Sequence, residues 1–429
     1  MSGIEYQRAD WIQNSNIYEV NLRQYSEAGT FNAFAMELPR LKDMGVEILW
    51  FMPITPISKK NRKGTLGSYY ACSDYVSVSP EFGTMDDLKN LLKQAKAMGF
   101  KIMMDWVANH TGWDHVWTTS NPDFFSRDVN TGDFKMAEGM EDIIELDYSN
   151  TDLRKAMIGA MEFWVRECDI DGFRCDLAFW VVLDFWLEAR SSLEKIKTLF
   201  WLGEFDPLDK PDYCLVFDAG YTWTWMHKTE TFYKEDQNLA SLKDVLIQYD
   251  AVCGKQHIPL WFTSNHDENS WNGTEYEKYG DMAKAVAVFS FTWEGMPMIY
   301  SGQELPNRKR IQFFEKDNIE WKQEIELHQF YKTLLALHAG HPALRAADTS
   351  TANRLLKTNA DTAVIAYERR QGARSVLVLL NFSAATISCN IDEEHIEAGY
   401  TDVFNKDIIQ INSATAFQLL PWGWLVYEN

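Results

Sequence analysis

Basic residues are scarce in this chain. Asp and Glu outnumber Lys and Arg by 62 to 41, a formal net charge of −21 at pH 7. A surface of that sign repels phosphate, which argues against a nucleic-acid partner and against docking on an anionic membrane. Long apolar runs are missing too, and none reaches the ~18 residues of a membrane span. Met1–Trp11 holds neither a basic nor an apolar leader segment, so no export signal is expected in this stretch. Cysteine is sparse: six residues, at 72, 168, 175, 214, 253 and 389, with no C-x-x-C pair. That excludes a zinc ribbon or a dithiol redox motif. Free thiols without a leader point to the cytoplasm; export stays open for a chain already trimmed of its signal. Internal repeats and low-complexity stretches are absent.

What is abundant is apolar and aromatic. Hydrophobic residues make up 46% of 429 residues, and the 14% aromatic content includes 17 Trp. Such a chain buries a large core. Most of the aromatics are expected inside it, and a minority is available as exposed stacking surfaces. The length accommodates a parallel (β/α)8 barrel of roughly 250 residues plus something smaller.

The order of elements supports an α/β fold with parallel strands. Strands are expected at Ile17–Leu22, Val46–Met52, Phe100–Val107, Asp171–Asp176, Leu199–Glu204, Tyr213–Phe217, Leu260–Thr263 and Met298–Tyr300. An amphipathic helix is expected over Phe31–Met44, stopped by Gly45, and a second over Asp86–Met98, stopped by Gly99. Residues 111–150 lose the rhythm, are rich in Asp, Asn, Ser and Gly, and are too long for an ordinary loop. From about Arg345 short alternating runs take over: Val364–Glu368, Ser375–Leu380, Ala385–Ile391 and Gly423–Tyr427. The expected organisation is a TIM barrel from 1–110 and 151–344, a short insertion at 111–150, and an all-β sandwich at 345–429.

Four patches carry the chemistry: Asp105-Trp106-Val107-Ala108-Asn109-His110, Gly172-Phe173-Arg174-Cys175-Asp176, Gly203-Glu204-Phe205 and Phe262-Thr263-Ser264-Asn265-His266-Asp267. Three of them put a carboxylate at or just past the end of a strand-like run, where a parallel barrel builds its active site. Arg174 and Asp176 are two apart on a strand and share a face. The guanidinium favours ionised Asp176, a competent nucleophile. Glu204, partly desolvated after Gly203, suits a general acid. Asp267 adds a second charge that raises Glu204 further. Taken singly, each is equally a structural feature: an Arg–Asp pair, or a strand-end acid. Their joint occurrence in this order is what points to glycoside chemistry, which needs one ionised and one protonated carboxyl group. Cys175 reads as a small buried side chain.

These patches resemble the four signature regions of the α-amylase family of glycoside hydrolases, and the resemblance runs from about Asn16 to the end. It implies Asp176 as nucleophile, Glu204 as acid/base and Asp267 as transition-state stabiliser. It implies that Arg174, His110 and His266 line the subsite of the attacked sugar, that Tyr70 stacks beneath that sugar, and that Asp105 organises the pocket. The run Gly295-Met296-Pro297-Met298-Ile299-Tyr300 resembles the family's eighth strand, and 111–150 becomes a short B domain. Asn109 and Glu145 match positions of calcium ligands in relatives, so a structural calcium is an expectation; Asn109 alone is also an ordinary loop-holding hydrogen bond. No cofactor is required for the chemistry.

Two departures bear on substrate. Where many endo-amylases carry Lys-His after the nucleophile, this chain has Phe179 and Trp180. They either border the leaving-group subsite as stacking surfaces or pack between barrel and helices. The expected activity is retaining hydrolysis of α-1,4 bonds in maltooligosaccharides or starch-like α-glucans. Transglycosylation through the same intermediate is the alternative. A non-catalytic relative, such as a transporter heavy-chain ectodomain, fits less well, because all three carboxylates are present.

Overall fold

A computed structural model describes residues 6–235, 238–253, 257–392 and 398–429. Its centre is a closed ring of eight strands. In chain order they are β1 (Ile17–Val20), β2 (Ile48–Phe51), β3 (Lys101–Trp106), β4 (Gly172–Cys175), β5 (Phe200–Gly203), β6 (Ala219–Tyr221), β7 (Ile258–Trp261) and β8 (Met296–Tyr300). Neighbours pair parallel around the ring, and β1 closes it against β8. The strands are buried almost throughout, because helices cover the outer face and packed side chains fill the inner one. The eight-stranded barrel is the one expected.

Local chemistry explains most boundaries. Helix Met85–Ala97 opens with a capping box in which the Thr84 side chain accepts from the Asp87 N–H and Asp87 accepts from Thr84. Helix Thr151–Cys168 opens on Asn150, whose side chain accepts from Asp152 and Leu153. Gly172 is needed because a Cβ there would sit 2.4 Å from the Phe200 carbonyl oxygen, where β4 and β5 pass closest.

Three elements differ from the sequence-based expectation. The helix expected over Phe31–Met44 is two short helices, Phe31–Ala35 and Leu38–Met44. Pro39 sits in the first turn of the second, where its missing N–H costs nothing, but it cannot continue the first. The sixth strand is not Tyr213–Phe217 but Ala219–Tyr221. Pro211 starts a 3-10 turn over Pro211–Leu215, and the apolar run that follows buries Val216 and Phe217 without entering the sheet. The true strand is short and holds Gly220, where a Cβ would lie 3.0 Å from both Phe205 and His257. Small residues hid it from a hydrophobicity pattern. A helix over Trp223–Glu235, between β6 and β7, was also not anticipated.

Residues 110–145 form a three-stranded antiparallel sheet beside the barrel mouth, from His110–Gly112, Met136–Ala137 and Met140–Glu145. The C-terminal part is a six-stranded antiparallel sheet with a two-stranded one beside it. In its central strand, Arg374–Asn381, Val376, Val378 and Leu380 join the barrel's core cluster, while Leu377 and Leu379 join a second cluster on the other face. Period-two alternation thus gives a sheet buried on both sides, one of them against the barrel. Among the described residues no helix is long and apolar enough to cross a membrane.

Candidate active site

The C-terminal ends of the strands bring the expected carboxylates around a single guanidinium. In the β3–β4–β5 ladder Asp105 is paired with Arg174 and Cys175 with Gly203. The ladder continues one residue further, with Asp176 N–H donating to Trp106 O at 3.0 Å and Glu204 N–H to Cys175 O at 2.9 Å. Arg174 is fully buried. Its Nη1 lies 3.1 Å from Asp105 Oδ1 and 2.9 Å from Asp176 Oδ1. Its Nη2 lies 2.9 Å from Glu204 Oε1, without the alignment of a hydrogen bond. Nε donates to the Tyr221 hydroxyl at 3.2 Å.

Gly203 is explained here. A Cβ at that position would come within 2.8 Å of the Phe205 and Phe217 rings, so only glycine lets β5 deliver Glu204 at this depth. The Leu177 N–H donates to Glu204 Oε2 at 2.8 Å and fixes the other end of that carboxylate.

The second half of the site is a charge chain. His266 Nδ1 is 2.5 Å from Glu19 Oε1, and its Nε2 is 3.2 Å from Asp267 Oδ2. The Tyr70 hydroxyl shares a 2.7 Å hydrogen bond with His266 Nε2 and donates to Asp105 Oδ2 at 3.1 Å. The Tyr70 and His266 rings stack at 5.3 Å. Trp50 Nε1 also donates to Asp105, at 3.2 Å. Asp267 is the outermost of the acids, with 40% of its side chain exposed against 9% for Asp176 and Glu204.

Burial and charge divide the protons. Burial pushes Glu204 up to about 7; Arg174 opposes this, and Asp176 and Asp267 add to it. Burial also raises Asp105 and Asp176, again against Arg174. Three acids around one cation cannot all ionise cheaply, so the cluster favours holding a proton near neutral pH. For His266 burial alone would lower the pKa, but Asp267 and Glu19 on its two nitrogens hold it well above the ordinary imidazole value. Burial would raise Asp267; the His266 charge overrides it and keeps that carboxylate low. Cys175 is buried and its thiol is pushed far up by burial, so it is no nucleophile.

The other expected residues are less central. His110 is buried and lowered to about 4 by that burial, so it is neutral. Its Nδ1 is 3.3 Å from Asn109 Nδ2, and its buried Nε2 hydrogen-bonds none of the acids. Phe179 and Trp180 share a 3-10 turn just past Asp176. Phe179 leans on the core, whereas Trp180 stays half-buried and outside that cluster. Asn109 and Glu145 lie on facing segments of the small sheet, but Glu145 Oε2 is 2.7 Å from Lys135 Nζ and its Oε1 accepts from Ser126. Calcium needs six to eight oxygens, and among the described residues no three His, Cys, Asp or Glu side chains gather to hold a metal. Glu145 is thus engaged by Lys135 and Ser126, and Asn109 by His110.

Glu19, Trp50 and Tyr221 were missed by sequence reasoning. A signal existed for Glu19: a lone acid in the apolar strand Ile17-Tyr18-Glu19-Val20 is a charge that must be buried and therefore paired.

A family model described as the alpha-amylase catalytic domain matches residues 12–134 and 123–334. The chain is 27% identical over 400 residues to an α-amylase of Haloarcula japonica, covering 88% of this chain and 57% of that protein. It therefore spans little more than half the length of that curated relative. It is similar in structure to a maltogenic α-amylase of Thermotoga neapolitana, with 30% identity, a TM-score of 0.89, and 97% and 99% of the two chains covered. An α-amylase of Lactobacillus plantarum gives 27% identity and a TM-score of 0.87, with 98% of this chain and 99% of that one covered.

Proposed function

The chain belongs to the α-amylase family, and from that premise we propose that it is a retaining glycosidase cleaving α-1,4-glucosidic bonds in maltooligosaccharides or starch-like α-glucans. The observation that carries the reading is the three-acid cluster on Arg174 at the C-terminal mouth of the barrel. Arg174 Nη1, hydrogen-bonded to both Asp105 and Asp176, favours their ionised forms. Glu204, with its less directed contact to Nη2, is left as the holder of the proton.

The chemistry follows in two steps. Asp176 attacks the anomeric carbon while the bond to the glycosidic oxygen breaks, and Glu204 gives that oxygen its proton. Glu204, now a carboxylate, takes a proton from water, whose oxygen attacks the anomeric carbon and releases Asp176. Charge developing on the sugar ring is met by Asp267, which His266 keeps ionised. Tyr70 offers its ring beneath the sugar.

A retaining site needs its two carboxyl groups ~5–5.5 Å apart, too close for an intervening water. Two carboxylates on adjacent nitrogens of one guanidinium suit that spacing. Proton NMR of the fresh product from maltotetraose tests the reading: the α-anomer is expected first, and initial β-anomer would refute it.

A further inference from the structure

The barrel mouth carries two groups of aromatic side chains, and strand order sets them on opposite sides. Phe179 and Trp180 follow β4. Trp271 follows β7, and Phe313 and Phe314 lie in the loop after β8. In a ring ordered β1-β8-β7-β6-β5-β4-β3-β2, β4 stands across the axis from β8.

The β7–β8 group is built, not incidental. Trp271 sits in a single π-helical turn, Glu268–Asn272, closed by Gly273 N–H to Glu268 O at 2.8 Å. Such wide turns are rare and frequently functional. The Trp271 indole lies close enough to Asp267 to help keep that carboxylate low. Its ring packs on Phe313 at 5.4 Å and on Phe314 at 5.7 Å, yet the residue remains 52% exposed. Phe313 in turn lies 6.3 Å from Tyr70, with the rings only 20° from parallel. Asn269 joins the two loops, donating to Lys309 O at 3.1 Å and accepting from Ile311 N–H at 2.9 Å. From the other side, Leu66 N–H donates to Phe314 O at 3.0 Å. A large ring with its back supported and its outer part left in water is shaped to receive a flat apolar surface.

We propose that Trp271, backed by Phe313 and Phe314, is the stacking platform for a second glucose ring on the donor side, next to the ring carried by Tyr70. This rests on the glycosidase reading above. The side is assigned by position: Trp271 lies beside Asp267 and continues the aromatic row from Tyr70 through Phe313, whereas Phe179 and Trp180 follow Asp176 across the mouth. The preferred substrate then presents at least two glucose units on the donor side, and the released fragment is maltose or longer rather than glucose.

The test compares kcat/KM for 4-nitrophenyl α-maltoside and 4-nitrophenyl α-glucoside, which share a leaving group and differ by one donor-side ring. The ratio is expected to exceed one in the wild type, to fall by about tenfold in Trp271→Ala, and to be largely kept in Trp271→Phe, which retains a flat ring and loses the N–H. An unchanged ratio in Trp271→Ala overturns the platform. A ratio lost equally in both variants also overturns it, by assigning the effect to the indole N–H rather than to the ring face. Should Trp271→Ala fail to fold, Phe314→Ala replaces it, with a reduced ratio expected and an unchanged one overturning the proposal. A wild type that cleaves neither glycoside nor maltotriose defeats the glycosidase reading itself, an outcome distinct from an unchanged ratio.

Discussion

The Leu177 N–H reaches Glu204 Oε2 at 2.8 Å from a backbone in the left-handed region, φ +41°. A side chain there costs roughly 1–2 kcal/mol, and such strain persists only where surrounding structure holds it. Leu177 directly follows Asp176, so one peptide unit is bonded to Asp176 and hydrogen-bonded to Glu204. The relative placement of the two proposed catalytic groups is thereby built into a single turn.

Asp176→Asn keeps the shape and removes the nucleophilic charge. Turnover of maltooligosaccharides should fall by at least about a thousandfold, on the scale of a nucleophile deletion, with the circular dichroism spectrum unchanged. A folded variant with near wild-type rate would remove Asp176 from the mechanism.

Glu204 sets a pH dependence with a definite sign. Its folded pKa, about 7, lies above the ordinary 4.5. Acid catalysis is therefore lost as pH rises through about 7. Stability runs the same way: the folded state binds the proton more tightly, so it loses stability between about 4.5 and 7 as pH rises. The difference amounts to about 3 kcal/mol at alkaline pH. Glu204→Gln should thus be inactive yet melt higher than wild type at pH 8, with the gap closing near pH 4 in a calorimetric series. Equal melting points at both pH values would contradict the shift.

Glu19→Gln removes one of the two anions that hold His266 charged. The His266 ring resonances, followed by NMR, should titrate at lower pH, towards the ordinary value of about 6.5. The activity should then gain a new decline at that pH. An unaltered titration would mean that Asp267 alone keeps the imidazolium.

Trp180 follows Asp176 at the mouth and stays outside the core cluster. If it stacks an incoming sugar, Trp180→Ala lowers the transfer-to-hydrolysis ratio at high maltotriose, seen by product chromatography, with little change in Tm. A large drop in Tm with an unchanged product ratio would make it a packing residue.

Much of this protein was legible along the chain because the relevant physics is local. Apolar runs alternating with amphipathic segments specify strands and helices. Gly45 ends its helix at φ +100°, a conformation that favours glycine. Asp105, Arg174, Asp176 and Glu204 lie in or just past strands that pair with one another in the ring, so reading the strands located the acids. Locality also explains the errors. Pro39 divides a helix that periodicity alone would join, and β6 is too short and too rich in small residues to stand out beside the apolar run at 213–217.

Tertiary structure alone decided which partners complete the site. Glu19 meets His266 across 247 positions of sequence, and Trp271 meets Phe313 only because β7 and β8 are neighbours in the ring. No periodicity encodes such contacts, since they arise when the barrel closes and gathers its strand ends. The sequence determined the kinds of groups that arrive at the mouth. Closure decided that three acids are buried around one guanidinium, and that burial, reinforced by the neighbouring acids and opposed by Arg174, raises the pKa of Glu204 and keeps the proton the chemistry needs.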